Sequence, residues 1–247
     1  MNDLALLAEE LTKAFYVFKY NKTMLSALRR WRSGEATRRR QPVLQGVRCK
    51  LERGEKVGLI GRNGVGKSTL LRILAGIYSY DSGRVWLAER PSALFDVTVG
   101  TAGILTVEDN VFLYGIMHGL NRPYLTPRLD EILDLAGLQT VRYTPFRDLS
   151  LGQQRRLALS IFLQTKRPFL IFDEALANLD LGFVRTCEAF FAHQNPREKT
   201  IILTSHDSDF WRRHCDRGLW LENGRIVHDG PINEVMDAYE RTFEIVF

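Results

Sequence analysis

The sequence has no uncharged apolar stretch of about 18 residues, which is the length that a helix needs to cross a bilayer. The apolar run between Asp3 and Glu9 spans only five residues and follows no basic segment. We therefore expect neither a signal peptide nor a membrane-spanning helix. We expect a soluble protein whose role at a membrane, if it has one, depends on a partner.

Cysteine is also scarce. The chain has three cysteines, Cys49, Cys187 and Cys215, and no CxxC pair. An odd number of widely separated cysteines argues against a disulfide framework and against a zinc site. This number and spacing of cysteines favour a reducing cytoplasm.

Acidic residues are nearly absent from one segment. Between Arg29 and Arg40 there are six arginines and a single acid, Glu35, so this segment carries a net charge of +5, equal to that of the whole chain. A nucleic-acid-binding domain spreads its basic charge over a face, so we expect no nucleic-acid partner. The segment lies in a predicted insertion of about residues 21–41. Apolar residues recur there at helical spacing, at Met24, Leu25, Leu28 and Trp31. This pattern is typical of a short basic amphipathic helix, which either packs on the protein body or faces anionic headgroups.

Short strand patterns alternate with helical ones along the chain. Strands are predicted at residues 42–51, 56–60, 168–173 and 200–205. The last two are continuous apolar runs of the kind that a parallel sheet buries on both faces. With 45% apolar residues, the chain can bury a sizeable core. We predict a single α/β domain over residues 1–247, with a helical subdomain at about 106–164.

Two helix starts are predicted within the helical block. Thr106 and Asp109 have the spacing of a capping box, in which each side chain accepts a hydrogen bond from the other residue's backbone N–H. Thr126 followed by Pro127 predicts an N-cap and a first helical position.

Residues 61–69 read GRNGVGKST, which matches the phosphate-loop pattern GxxxxGK[ST] between a predicted strand and a predicted helix. Backbone N–H groups of such a loop bind phosphate oxygens, the Lys67 ammonium reaches the β- and γ-phosphates, and the Ser68 hydroxyl binds Mg²⁺. The predicted nucleotide-binding residues are therefore Gly61, Arg62, Asn63, Gly64, Val65, Gly66, Lys67, Ser68 and Thr69.

Asp173 and Glu174 end a predicted buried strand, at the edge where doubly wound sheets carry their ligand sites. We expect Asp173 to hold Mg²⁺, directly or through water, and Glu174 to act as the general base on the attacking water. His206 ends the next apolar strand and is expected to reach the same phosphate. Alone, such acids could cap a helix and such a histidine could be structural, but the phosphate loop favours catalytic roles.

Residues 149–156 read LSLGQQRR. Ser150 and Gln153 have capping-box spacing before a helical run, so the segment could simply start a helix. A helix start beside a glycine, here Gly152, is also an anion site, because its first N–H groups are free and the helix dipole is positive there. The chain's own nucleotide already has a loop, so the ATP of a second molecule could be the target.

Together and in this order, GRNGVGKST, LSLGQQ, FLIFDEALANLD and TSHD resemble the motifs of the nucleotide-binding subunit of an ABC transporter. The resemblance implies an α/β P-loop NTPase fold with a mixed sheet core, an N-terminal antiparallel β subdomain and an inserted helical subdomain. It implies hydrolysis of ATP with Mg²⁺, with Lys67, Glu174 and His206 as catalytic residues.

The same resemblance implies a head-to-tail homodimer. Signature residues of one subunit would close over the γ-phosphate held by the phosphate loop of the other, and these residues are Ser150, Leu151, Gly152 and Gln153. The loop that links the two sites in the family matches Asn178, Leu179 and Asp180.

Three longer stretches, GRNGVGKSTLLRILAGIYSYDSGRV, DEALANLDLGF and HCDRGLWLENGRIVHDGPINEV, are similar to the ATPases of bacterial polysaccharide exporters, which move O-antigen, capsule or teichoic-acid chains. We therefore expect the chain to act with an integral membrane permease at the cytoplasmic face of the inner membrane. We expect no carbohydrate-binding tail after Phe247. The alternatives are an importer ATPase and a non-transport ABC ATPase that acts on nucleic acid or ribosomes.

Three positions depart from the family pattern. Leu151 replaces the first of two adjacent signature glycines, so Gly152 alone would permit the close approach. Asp96 is the nearest polar candidate for the missing glutamine of the glutamine loop. The aromatic residue that stacks on adenine is expected at Phe15, with Tyr16 as the alternative, unless both simply pack in an edge strand.

Overall fold

The computed structural model of the chain describes residues 3–18, 38–95, 100–174, 181–193, 199–205 and 207–244. The strands in these ranges are β1 (Leu4–Phe18), β2 (Arg38–Glu52), β3 (Lys56–Ile60), β4 (Ser82–Leu87), β5 (Ser92–Leu94), β6 (Phe169–Asp173), β7 (Thr200–Thr204), β8 (Arg217–Glu222) and β9 (Arg225–Pro231). The α-helices are α1 (Lys67–Leu74), α2 (Val107–Met117), α3 (Arg122–Leu125), α4 (Leu129–Ala136), α5 (Leu151–Phe162), α6 (Leu181–His193), α7 (Ser208–His214) and α8 (Ile232–Glu244).

The central sheet has the strand order β5-β6-β7-β3-β8-β9. Neighbouring strands are parallel except β8 and β9, which form an antiparallel hairpin. Every residue of β6 and β7 is buried. Alternate side chains point to opposite faces of a strand, and Phe169 and Ile171 accordingly pack in one core cluster while Leu170 and Phe172 pack in another. Both faces are therefore covered, which explains the continuous apolar runs in the sequence.

The antiparallel sheet, of order β2-β1-β4, covers α1 and one face of the central sheet. β1 and β2 extend past β4: pairing of β1 with β4 ends at Thr12, whereas pairing with β2 continues to Phe18, which lies opposite Arg38. We call residues 13–18 and 38–42 the β1–β2 ribbon. Residues 38–41 therefore belong to a strand and not to the predicted insertion, because the β-favouring run before Phe18 offers them a partner. Residues 19–37 lie outside the described residues.

Helices α2 to α8 cover the other face of the central sheet. A single buried cluster joins Val111 of α2, Ile132 of α4 and Phe162 of α5 to Leu170 and Phe172 of β6. Burying each such side chain contributes about 2 kcal/mol. The helical segment predicted at about 106–164 thus shares its core with the sheet. None of the helices in the described residues is long and apolar enough to span a membrane.

Side-chain caps define where two of these helices begin. The Thr106 hydroxyl accepts the backbone N–H of Asp109 at 3.1 Å, and the carboxylate of Asp109 accepts the N–H of Thr106 at 3.2 Å. The predicted start at Thr126 is wrong: Thr126–Arg128 forms a 3₁₀ turn, and α4 begins at Leu129. Asn121 caps the preceding turn, and the Thr126 hydroxyl instead donates to the Arg122 carbonyl at 2.8 Å.

Candidate functional site

The candidate site lies where three adjacent strands of the central sheet end. β6, β7 and β3 are neighbours and parallel, so their carboxyl ends meet at one edge of the sheet. The predicted phosphate loop follows Ile60 at the end of β3, and the predicted acidic pair begins at Asp173 at the end of β6. This is the edge at which open α/β sheets bind their ligands.

The phosphate loop depends on glycine at two positions. Gly61 has φ 150°, and a Cβ there would lie 2.4 Å from the carbonyl oxygen of Leu221 in β8. Gly66, the N-cap of α1, has φ 112°, and a Cβ there would lie 3.0 Å from the side chain of Val43. The chain therefore turns sharply between β3 and α1 and is packed against its neighbours on both sides. This geometry brings the loop to the N-terminus of α1, where backbone N–H groups bind anions.

Lys67 lies over the loop that precedes it. Its ammonium donates to the carbonyl of Gly61 at 2.6 Å and to the carbonyl of Arg62 at 3.1 Å, and the residue is 6% exposed. An ammonium has three donors, so one remains for a phosphate oxygen. Burial lowers the pKa of Lys67, while Glu174 and Asp173 act in the opposite direction. The lysine thus lies in the field of both carboxylates.

A cavity of about 500 Å³ opens over the loop. It is lined by Phe15, Gln41, Val43, Asn63, Gly64, Gly66, Lys67, Ser68, Thr69 and Glu174. The structure thus brings most of the predicted loop together with Glu174 and with Phe15. Gly61, Arg62, Val65 and the predicted Mg²⁺ ligand Asp173 lie outside this lining. A cavity of this size lies within the range of small-molecule sites.

Of the two candidate adenine contacts, only Phe15 borders the cavity. Its side chain is 36% exposed, its ring is T-shaped to Tyr78 at 5.9 Å between centroids, and the Lys13 ammonium lies 5.3 Å from its centroid. Tyr16 is 62% exposed and is not part of the lining. Phe15 lies on the β1–β2 ribbon, and Gln41 and Val43 of β2 line the same cavity.

Both residues of the acidic pair are hydrogen-bonded to Thr204, which no sequence motif had indicated. Asp173 is 6% exposed, and its Oδ1 accepts the Thr204 hydroxyl at 2.9 Å. The backbone N–H of Glu174 donates to the same Thr204 Oγ1 at 2.9 Å. Glu174 has φ 52°, in the left-handed region that residues other than glycine rarely adopt. The sequence signal for Thr204 was its hydroxyl at the carboxyl end of a strand whose interior residues, 201–203, are apolar.

The signature segment lies at the start of α5. Ser150 is the N-cap, its hydroxyl accepts the N–H of Gln153 at 3.3 Å, and the Gln153 side chain accepts the N–H of Ser150 at 2.9 Å. The predicted capping box is therefore present. Leu151 is 53% exposed, and a Cβ on Gly152 would meet nothing within 4 Å. None of the four residues lines the cavity over the phosphate loop. The fold of this chain therefore does not require a glycine at position 152.

Other predicted site residues lie outside the described residues. They are Asp96, Asn178, Leu179, Asp180 and His206.

A sequence model of the ABC transporter family matches residues 44–177, more than half of the chain. The O-antigen export system ATP-binding protein RfbB of Myxococcus xanthus is 33% identical over 226 residues, which cover 90% of this chain and 52% of that protein. The teichoic acids export ATP-binding protein TagH of Bacillus anthracis is 32% identical over 198 residues, which cover 80% of this chain and 36% of that protein. The chain thus spans about half or less of the length of these relatives. A solved structure described as the ATP binding subunit of an ABC transporter has a TM-score of 0.75 at 22% identity, covering 95% of this chain and 93% of that one. The predicted fold class is confirmed.

Proposed function

Because the chain belongs to the ABC transporter family, we propose that it is the ATP-hydrolysing subunit of an ABC exporter that moves a polysaccharide or a polysaccharide-linked lipid across the inner membrane. The observation that supports the proposed ATPase activity is that Lys67 and Glu174 line the same cavity. The relatives named for O-antigen and teichoic-acid export support the class of substrate. The chain would lie at the cytoplasmic face of the membrane, bound to a separate permease subunit.

The loop and its lysine would bind the triphosphate. Gly66, Lys67, Ser68 and Thr69, at the start of α1, all line the cavity, and N–H groups at a helix start bind anions. Charge on the transferring phosphoryl group increases in the transition state, so a fixed ammonium beside it stabilises that state more than the bound substrate. Lys67 is held by two carbonyl groups, which reduces the reorganisation needed when ATP binds.

Ser68 and Asp173 would hold Mg²⁺. Among the described residues, no group of three or more His, Cys, Asp or Glu side chains could hold a metal by itself. Mg²⁺ is commonly bound by one or two protein oxygens together with substrate phosphates, which fits a metal that arrives with ATP. The Asp173 carboxylate suits this role, because the Thr204 hydroxyl donates to its Oδ1 and fixes the orientation of the carboxylate. When bound, Mg²⁺ neutralises charge on the β- and γ-phosphates.

Glu174 would act as the general base. Its side chain lines the cavity beside Lys67, where a carboxylate can accept the proton of a water that attacks the γ-phosphate. His206, which follows β7, remains a predicted partner of the same phosphate.

The ATP site would be completed by a second copy of the chain. In the first turn of α5 the Ser150 hydroxyl accepts the N–H of Gln153, whereas the N–H groups of Leu151 and Gly152 have no partner within the helix. Ser150 and Gly152 are exposed, and the space around Gly152 is open. These features suit a helix start that closes over a phosphate held by another subunit. Leu151 adds an apolar side chain to the same exposed surface.

A genetic complementation experiment tests the proposal. A strain without the gene should lose polysaccharide from the cell surface and accumulate it inside, and the wild-type gene should restore export. Lys67→Ala, expressed at the same level, should not. Normal surface polysaccharide in the deletion strain, or a defect in uptake of a solute instead, would show that the exporter assignment is wrong.

A further inference from the structure

Thr204 is the last residue of β7 and lies directly beside the acidic pair. It is 2% exposed, and its Cα partner in the parallel pairing of β6 with β7 is Asp173. Its side chain does not line the cavity over the phosphate loop. Thr204 therefore contacts both acidic residues without lining the cavity itself.

The direction of both hydrogen bonds follows from the groups involved. The backbone N–H of Glu174 can only donate, so Thr204 Oγ1 accepts this bond of 2.9 Å. A hydroxyl has one proton, and the Asp173 carboxylate 2.9 Å away is an acceptor, so the proton points to Asp173 Oδ1. One oxygen atom thus connects the side chain of Asp173 to the backbone of Glu174.

The hydrogen bond from the Glu174 N–H to Thr204 bears on an unusual backbone conformation at Glu174. With φ 52°, Glu174 lies in the left-handed region, and residues other than glycine that are held there tend to occur at functional sites. Its N–H is directed to Thr204, and its side chain then enters the cavity beside Lys67. A change at Thr204 would therefore act on the position of Glu174 without removing any group that contacts ATP.

We propose that Thr204 is a positioning residue for ATP hydrolysis, which orients the proposed Mg²⁺ ligand Asp173 and the proposed general base Glu174 through its single hydroxyl. The inference rests on the proposed ATPase function of this cavity. Residues that orient ligands and bases without touching substrate typically contribute about 10- to 100-fold to activity or metal affinity.

The test compares three variants of the full chain assayed with its permease. Thr204→Val keeps the shape of the side chain and removes the hydroxyl, while Thr204→Ser keeps the hydroxyl. Thr200→Val is the matched control: Thr200 lies at the other end of β7, about 13 Å away along the strand. It is also buried, and its hydroxyl accepts the N–H of Gly54 at 3.0 Å. Both valine variants thus lose one buried hydrogen-bonding hydroxyl from the same strand.

We expect Thr204→Val to lower kcat about 10- to 100-fold and to raise the Mg²⁺ concentration needed for half-maximal activity, since both effects follow from misplaced carboxylates. The Kd for ATP without Mg²⁺ should change by less than about threefold, because the phosphate loop is untouched. Thr204→Ser should recover most of the activity. Thr200→Val should have wild-type kcat and Mg²⁺ dependence even if its Tm falls.

Three outcomes would overturn this role. One is a kcat and Mg²⁺ dependence of Thr204→Val equal to those of wild type. Another is a loss in Thr204→Ser as large as in Thr204→Val, which would assign the effect to packing. The third is an equal loss in Thr200→Val. If Thr204→Val does not fold, Thr204→Ala removes the same hydroxyl and is judged by the same criteria. In each case an active wild type leaves the proposed ATPase function standing, whereas a wild type without ATPase activity overturns both.

Discussion

The ammonium of Lys67 lies 2.6 Å from the carbonyl oxygen of Gly61, the first residue of the loop that the lysine closes. Replacing Lys67 by Ala removes the positive charge from the cavity. We expect kcat for ATP to fall at least about 100-fold, since a charge aimed at the developing phosphoryl charge contributes several kcal/mol to the transition state. Steady-state ATPase assays with the permease present would measure this.

Lys50→Ala is the control for the lysine substitution. Lys50 is exposed and pairs with Glu52 at 3.7 Å on the antiparallel sheet, away from the cavity. The Lys50→Ala substitution should leave kcat for ATP unchanged. Near wild-type activity of Lys67→Ala would show that this loop is not the catalytic phosphate site.

Glu174→Gln should bind ATP and hydrolyse it at least about 100-fold more slowly, because an amide cannot accept the proton of the attacking water. ATP trapped in this way should hold two copies of the chain together. Light scattering in ATP and Mg²⁺ should detect a dimer of Glu174→Gln that is absent without nucleotide. Glu131→Gln, which changes an exposed acid on α4, should behave like wild type.

Ser150→Arg, made in the Glu174→Gln background, should abolish the ATP-dependent dimer, because it places bulk and charge at the exposed start of α5. Ser150→Ala in the same background is the control. It loses the same capping hydroxyl, at a cost of about 1 kcal/mol to the helix, but adds no bulk. We expect the alanine variant to dimerise. A dimer that survives Ser150→Arg would contradict the composite site.

Phe15→Ala should weaken ATP binding about fivefold, since stacking of an aromatic ring on a base contributes about 1 kcal/mol. The affinity for inorganic tripolyphosphate, which has no base, should not change. Tyr16→Ala is the matched control, because Tyr16 is the next residue on the same strand but is not part of the cavity lining. Equal effects of the two substitutions on ATP binding would argue against adenine stacking at Phe15.

We expect His118 to make the free energy of unfolding depend on pH. Burial, with a smaller contribution from Arg167, lowers its pKa from 6.5 to about 4, and its Nδ1 lies 2.9 Å from the Ser92 hydroxyl. Between these pKa values the unfolded chain binds the proton and the folded chain does not, so stability falls as the pH decreases through this window. From pH 7.5 to pH 5, His118 should account for about 2 kcal/mol of the loss in the free energy of unfolding.

His118→Gln is the comparison variant for the pH effect, because glutamine can bond Ser92 but does not titrate in this range. Urea denaturation of both proteins at the two pH values gives the difference directly. If wild type and His118→Gln lose the same stability on acidification, the histidine is not the source.

Local signals allowed the elements around the candidate site to be predicted. The turn and helix start at Lys67 and the capping box at Ser150 each follow from a pattern of at most nine residues, and both are present where they were predicted. The buried strands before Asp173 were also predictable, because a strand covered on both faces has no polar alternation.

The contacts between strands could not be predicted in this way. Thr204 faces Asp173 only because β6 and β7 are adjacent and in a particular register, which no short pattern specifies. The extension of β2 to Arg38 likewise depends on pairing with Phe18, 20 positions earlier. Thr126 was misplaced because the capping signal of Asn121 starts a turn before it.

The β1–β2 ribbon has a consequence for how this chain can vary. Phe18 and Arg38 are direct partners in the β1–β2 pairing. This pairing alone holds the two ends of the intervening segment side by side. Doubling the length of a loop anchored in this way costs only about 0.6 kcal/mol. Changes in the length of residues 19–37 are therefore expected to cost little free energy, provided that the pairing of Phe18 with Arg38 is kept. The ribbon therefore carries a segment of variable length at the border of the proposed ATP site, because Phe15 and Gln41 of the ribbon line the same cavity as Lys67.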